Sequence, residues 1–232
     1  MKFNRINIAK RLIIRKKFKS AKLLLNLLAK QNDAEAQLIL GYLYFGGDIN
    51  TSPEESKYWL KRSAKNGNAE ALALLASASF RSGRWNTIAD SRKYFLITLN
   101  AAKKGSAEAQ RSMACIYAHG ILVEQDDVKT MYWDERAAKQ GLAESQNDLA
   151  LMLLHGIGGR FDVEKALYWY TQSASKDCNV PYAQEAAEAL AGIYSGEPYK
   201  ELLDLEKKKY WEERGKFLGG LAYRGHPDWF YK

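Results

Sequence analysis

One short pattern recurs along this 232-residue chain and constrains its fold more than any other feature. At 129–141 the sequence reads Lys-Thr-Met-Tyr-Trp-Asp-Glu-Arg-Ala-Ala-Lys-Gln-Gly, with Trp133 eight residues before Gly141. The same arrangement sets Tyr58-Trp59 before Gly67, Tyr168-Trp169 before Asp177 and Tyr210-Trp211 before Gly219. A weakened copy reads Tyr94-Phe95 before Gly105. Four of the six tryptophans therefore share one equivalent position, which chance composition does not produce. A second mark follows the stop: Ala34-Glu35-Ala36, Ala69-Glu70-Ala71, Ala107-Glu108-Ala109, Ala143-Glu144-Ser145 and the degenerate Gln184-Glu185-Ala186. These marks lie 35, 38, 36 and 41 residues apart. Such a period belongs to solenoids of helical pairs, in which each pair buries its apolar face only by stacking on its neighbours.

Composition agrees. An apolar fraction of 47% supports a core, and four prolines among abundant Ala, Leu, Lys and Glu favour helix. No apolar run approaches the about 18 residues of a membrane span. The basic N-terminal stretch holds only short apolar pieces such as Leu12-Ile13-Ile14, too short for a signal-peptide core. The expectation is a soluble protein that is not secreted by this route. Two cysteines, Cys115 and Cys178, are too few for a disulfide framework and read as reduced, partly buried thiols, which fits the cytoplasm. The net charge of +8 sits at one end. Residues 1–30 carry ten Lys or Arg and no acid, whereas the remainder carries 25 bases against 27 acids.

Read in order, residues 1–33 form basic capping helices, one built on Ile6, Ala9, Leu12 and Ile13, the next on Leu23, Leu24, Leu25, Leu27 and Leu28. Five repeats follow at about 34–67, 68–105, 106–141, 142–177 and 181–219. In the first, Gly46-Gly47-Asp48 ends one helix and Ser52-Pro53-Glu54-Glu55 opens the next with a cap, a first-turn proline and acids at the positive end of the dipole. The second repeat is the least regular, and its turn carries Trp85, readable as local packing or as a recognition anchor. Residues 220–232, ending Trp229-Phe230-Tyr231-Lys232, read as a closing aromatic cap or a binding element.

Ala34, Ala36, Leu40, Gly41, Tyr44, Gly47, Trp59, Ala64 and Gly67, with Asp162, Lys165, Ala166, Trp169 and Ala174 in the fourth copy, resemble the Sel-one-like repeat (SLR), a relative of the tetratricopeptide repeat (TPR). The resemblance covers about 34–219. It implies an all-α, right-handed α-solenoid of stacked helix-turn-helix repeats, with about eleven or twelve helices here. It also implies adaptor, scaffold or inhibitor roles, including partners of bacterial toxins, with a protein or peptide held in a concave groove lined by the first helices. Carried over position by position, the groove residues are Leu38, Tyr42, Phe45, Phe80, Arg81, Arg111, Cys115, His119, Asn147, Leu151 and His155. The apolar members suit protein recognition, and Arg81 and Arg111 add forks for carboxylates. The Glu that recurs at the second position of the first helices serves either this groove or a helix N-terminus.

A separate basic patch comprises Arg11, Arg15, Lys16, Lys17 and Lys19, either a solvated cap surface or a docking site for nucleic acid or another acidic surface. Chemistry finds little foothold. His119 and His155 share a repeat position but lack an evident third ligand, so no metal and no cofactor is expected. His155-Gly156-Ile157-Gly158-Gly159-Arg160 lacks the Gly-Lys-Ser/Thr ending of a phosphate loop and reads as a turn. The chain is expected to be a non-catalytic protein-binding scaffold, as a monomer or homodimer.

Overall fold

The computed structural model describes residues 2–45, 53–81, 88–120, 123–176 and 180–220. Among the described residues there are twelve α-helices and no strand. They are α1 (Lys2–Ile14), α2 (Phe18–Lys30), α3 (Ala34–Phe45), α4 (Pro53–Lys65), α5 (Ala69–Arg81) and α6 (Ile88–Lys103), followed by α7 (Ala107–Ala118), α8 (Asp127–Lys139), α9 (Ala143–His155), α10 (Val163–Ala174), α11 (Val180–Ile193) and α12 (Leu205–Gly219). The chain divides into two compact units, Met1–Gln110 and Arg111–Lys232. In the first, each helix from α1 to α6 packs on the next. In the second, α8 to α12 do the same, and α9 also touches α11, so first helices of successive pairs meet. Each unit is thus an all-α stack of helix-turn-helix pairs. Gly46, Gly47, Ser52, Trp85, Asp177, Cys178 and 221–232 lie outside the described residues, as do the side chains of Tyr44, Phe45, Phe80 and Arg81.

A repeated stop shapes the second helices α4, α6 and α8, whereas α12 runs through Gly219 and ends on Gly220 at φ −83°. Gly67, Gly105 and Gly141 have φ of 89°, 96° and 89°, a left-handed backbone that glycine adopts without steric cost. The Gly141 N–H donates to the Ala138 carbonyl and the Leu142 N–H to the Ala137 carbonyl, a Schellman closure repeated at Gly67 and Gly105. Asn32 makes the same bonds at φ 60°, so α1 and α2 end as a true repeat does although the glycine is gone. The next helix starts at once: Asp33, Asn68 and Ser106 accept from the N–H of Ala36, Ala71 and Ala109. Second helices α8, α10 and α12 open on Asp126, Asp162 and Asp204, which accept from the N–H of Lys129, Lys165 and Lys207 and pair with the same lysines' ammonium groups.

The aromatic pairs split their duties. Trp133 and Trp211 are buried and Trp59 and Trp169 half-buried, while the preceding tyrosines are exposed. The rings meet edge to face, centroids 4.8–5.0 Å apart. The second repeat corrects the sequence register. Counted back from Gly105, the Tyr-Trp positions hold Leu96, exposed, and Ile97, half-buried, not Tyr94-Phe95. Tyr94 is buried where Ser56, Thr130 and Ala166 are buried in other copies. The extra length is taken up at the helix start: α6 has 16 residues against 13 in α8.

Two glycines in mid-helix make opposite predictions. A Cβ on Gly41 would sit 2.7 Å from Leu60 Cγ and 3.2 Å from the Leu60 backbone nitrogen. Gly41→Val should destabilise the first unit by about 1–3 kcal/mol through overpacking. A Cβ on Gly215 would meet Glu188 and Ala187 at 3.7 and 3.8 Å, ordinary contact. Gly215→Ala should stabilise the second unit by about 0.5–1 kcal/mol, because it removes backbone freedom from the unfolded chain. Urea denaturation of each variant reads both signs.

Candidate partner-binding faces

In the first unit the expected groove residues are only partly at the surface. Leu38, expected to meet a partner, is 2% exposed and belongs to the core. The reason is packing: α3 is apolar around most of its circumference, with Ile39, Leu40 and Leu43 also buried against α2 and α4. Tyr42 is half-buried. The recurrent glutamates knit the stack together. Glu35 pairs with Lys10 of α1 at 3.0 Å. Glu70 accepts from the Ser106 hydroxyl and the Ala107 N–H, both at 2.9 Å, and so caps α7, the first helix of the next pair.

The same use of charge appears in the second unit. Arg111 is no free fork: its guanidinium donates to Glu144 of α9 and to the Cys115 sulfur. Asn147 is 6% exposed and donates to the Tyr182 carbonyl of α11 at 2.9 Å. Cys115 is half-buried with a free thiol. Further along these helices the surface opens. Leu151 is 46% exposed, and His119 and His155 are exposed. A ring nitrogen of His119 lies 3.0 Å from the Cys115 carbonyl. Positions two and five of α9 are therefore tied internally, and its positions nine and thirteen reach solvent.

Two features of these faces were not read from the sequence. Gln37, Gln110 and Gln146, at the fourth position of α3, α7 and α9, are buried and donate to the carbonyls of Ala29, Ala102 and Ala138 at 2.9–3.1 Å. Each amide caps a carbonyl of the preceding second helix. The recurring Gln three residues after each Ala was the available signal. The other feature is Asp134 of α8, 2% exposed at a position where Leu60, Thr98 and Tyr170 stand in other copies. Burial pushes its pKa up to about 7, Asp148 adds to the rise, and Ser145 and Arg111 pull it back. Burial also raises Asp148, against the pull of Arg111.

Arg11, Arg15, Lys16, Lys17 and Lys19 are all exposed, at the end of α1, in the turn, and at the start of α2. Among the described residues no acid forms an ion pair with any of them. Among the described residues no group of three or more His, Cys, Asp or Glu could hold a metal, and no helix is long and apolar enough to cross a membrane. The glycines after His155 form a turn, with Gly156, Gly158 and Gly159 at positive φ.

Asp134 predicts a pH dependence. Its folded pKa lies above the ordinary carboxylate value of about 4, so the folded chain holds a proton that the unfolded chain releases between about pH 4 and 7. Its contribution to stability is present at low pH and is lost as pH rises to about 7. Asp134→Asn keeps the shape without the ionisation, so thermal melting should fall less steeply between pH 5 and pH 7.5 than in the parent. An unchanged slope would count against the buried carboxyl.

The Sel1 repeat pattern matches residues 34–68, 107–142 and 143–178. No curated protein gives a significant match. Among solved structures, a Sel1 repeat protein from Oxalobacter formigenes superposes with a TM-score of 0.68 at 24% identity, covering 86% of this chain and 79% of that one. The protective antigen c5321 of uropathogenic Escherichia coli, which has an SLR fold, gives 0.62 at 23% identity, covering 86% of this chain and 41% of that one. The immunity protein Pa5087 of Pseudomonas aeruginosa gives 0.56 at 15% identity, covering 88% and 76%. At these identities the likeness is one of fold. This chain therefore carries three Sel1 repeats and has the TPR-like helical-repeat fold of the SLR proteins.

Proposed function

We propose that the protein is a non-catalytic scaffold that binds a partner protein or peptide on the faces of its first helices. Sel1-repeat proteins are in general protein-interaction scaffolds. The observation that carries the reading here is the arrangement on α9: Leu151 and His155 stand exposed on a helix whose polar neighbours are already committed. Glu144 is held by Arg111, and Asn147 by the Tyr182 carbonyl. A rigid helix that presents an aliphatic anchor and a ring loses little freedom on binding. The half-buried Cys115 of α7 and His119, just past its end, extend that face. In the first unit, Tyr42, Phe45, Phe80 and Arg81 are the residues we assign to the corresponding face.

Binding rather than catalysis is favoured by the place of the perturbed carboxyl. At 2% exposure, Asp134 packs between helices and no substrate reaches it. One concrete form of the scaffold is an inhibitor of a toxin; the fold shared with the immunity protein Pa5087 supports that form without choosing it over an adaptor. The expected compartment is the cytoplasm.

The reading is tested by affinity capture of the tagged protein at high salt, followed by mass spectrometry. The parent and a Val128→Ser control, altered on the exposed face of α8, should retain one stoichiometric protein. Leu151→Ala with His155→Ala should lose it, by about tenfold or more in affinity if α9 carries a binding hot spot. A partner kept by the α9 variant and lost by the α8 control would move the site to the second helices.

A further inference from the structure

The opening helix pair carries a surface that the scaffold does not use. On α2 the core side is Ala21, Leu25, Leu28 and Ala29, all buried. The opposite face follows the spacing i, i+4, i+8, i+11 with Lys19, Leu23, Leu27 and Lys30, one line along a helix. Leu23 is 71% exposed and Leu27 56% exposed. On α1, Ile8 and Ile14 are each 42% exposed and flank Arg11. The turn between the helices supplies Arg15, Lys16 and Lys17. Other second helices also expose an aromatic or aliphatic residue, but among the described residues only this pair combines exposed aliphatics with a stretch wholly without acids.

We propose that α1 and α2 form a docking surface for an anionic membrane interface, with Leu23 and Leu27 entering the head-group and acyl boundary and the cations of the turn meeting anionic head groups. Charge and apolarity select this occupant together. An acid-free surface repels a second copy of itself. A nucleic acid satisfies the cations but gives nothing to exposed Leu side chains, and the one aromatic ring among residues 5–30, Phe18, is half-buried and offers a base no open face to stack on. An anionic bilayer surface satisfies both: apolar side chains bury at its boundary, and each Lys or Arg near it adds attraction that salt screens. The association is peripheral, and it is independent of the partner-binding face on α9.

The test is co-sedimentation of the full chain with vesicles of phosphatidylcholine mixed with phosphatidylserine, and with vesicles of phosphatidylcholine alone. The parent should bind the mixed vesicles, bind the neutral ones far less, and lose binding as salt rises. Arg15→Gln with Lys17→Gln and Lys19→Gln should weaken binding on the order of 100-fold, the effect of three surface cations. Lys16 is left in place because its φ of 57° makes any exchange there ambiguous. Leu23→Ser with Leu27→Ser should weaken it by roughly tenfold or more. Both sets of side chains are exposed, so melting should not change in either variant, which separates lost binding from lost fold. Three outcomes would each overturn the proposal: no binding to mixed vesicles, full binding by the Leu variant, or tighter binding to a single-stranded RNA oligonucleotide that only the cation variant loses. A self-associated parent that the Leu variant makes monomeric, with no vesicle binding in either, would assign the face to a second copy instead.

Discussion

Everything else in this structure depends on how closely the helices approach one another through small side chains. In the first helices the third position is Ala36, Ala71, Ala109, Ser145 or Ala186, each with 0% exposure. In the second helices the matching seam is Ser63, Ala101, Ala137, Ser173 or Gly215, four residues before the stop and buried in every copy. Small residues at both places let helix backbones come close, so the larger side chains interlock beside the seam. In the first repeat the Ser63 hydroxyl donates to the Ala34 carbonyl at 2.6 Å, and that of Ser56, one buried serine further back on the same helix, to the Gly41 carbonyl at 2.7 Å. A buried polar atom is thereby satisfied where an alanine would carry none. Trp133 and its counterparts then fill the flank, with the exposed tyrosine beside each one packed against its ring edge.

Polar groups on the first helices divide by height along the helix. Near the N-terminal end they join one pair to the next, through Lys10–Glu35, through Glu70 on the N-terminus of α7, and through Arg111–Glu144. A charge held in this way is spent on register, and its removal would leave a partner uncompensated. Nearer the C-terminal end of α9, Met152, Leu153 and Leu154 enter the core, while Leu151 and His155 reach solvent. That division is what turns a stack into a platform: the lower contacts hold the helix still, and the upper residues are presented from it.

Much of this architecture is legible in the sequence, because a repeat states the same rule several times. The glycine stops, the aromatic pairs and the Ala-Glu-Ala starts mark helix ends to within a residue or two, except that α11 begins four residues before the degenerate Gln184-Glu185-Ala186. The N-terminal pair is legible too, although Asn32 replaces the glycine, since Asn tolerates a left-handed backbone. The second repeat misleads for a specific reason. Aligning by aromatics selects Tyr94-Phe95, whereas the backbone stop at Gly105 governs the register and selects Leu96-Ile97. The faces were harder to read. The resemblance put Leu38, at position five, and Leu151, at position nine, on one face, whereas position five is buried in both α3 and α9 and position nine of α9 reaches solvent. Nor could spacing reveal that Arg111 is occupied, since its partner Glu144 is 33 residues away and meets it only after stacking. Asp134 is invisible for the same reason: a carboxylate in a helix reads as solvated until its neighbours close over it.

The claim at the centre of this account is that partners are held by the first helices, on the platform that α9 presents. Amide hydrogen exchange of the full chain, with and without its captured partner, tests it most directly. The account predicts new protection on α9 extending to α7, with exchange in the outer helices α8 and α10 unchanged. Protection confined to α8 and α10, or to the α1–α2 pair, would contradict it.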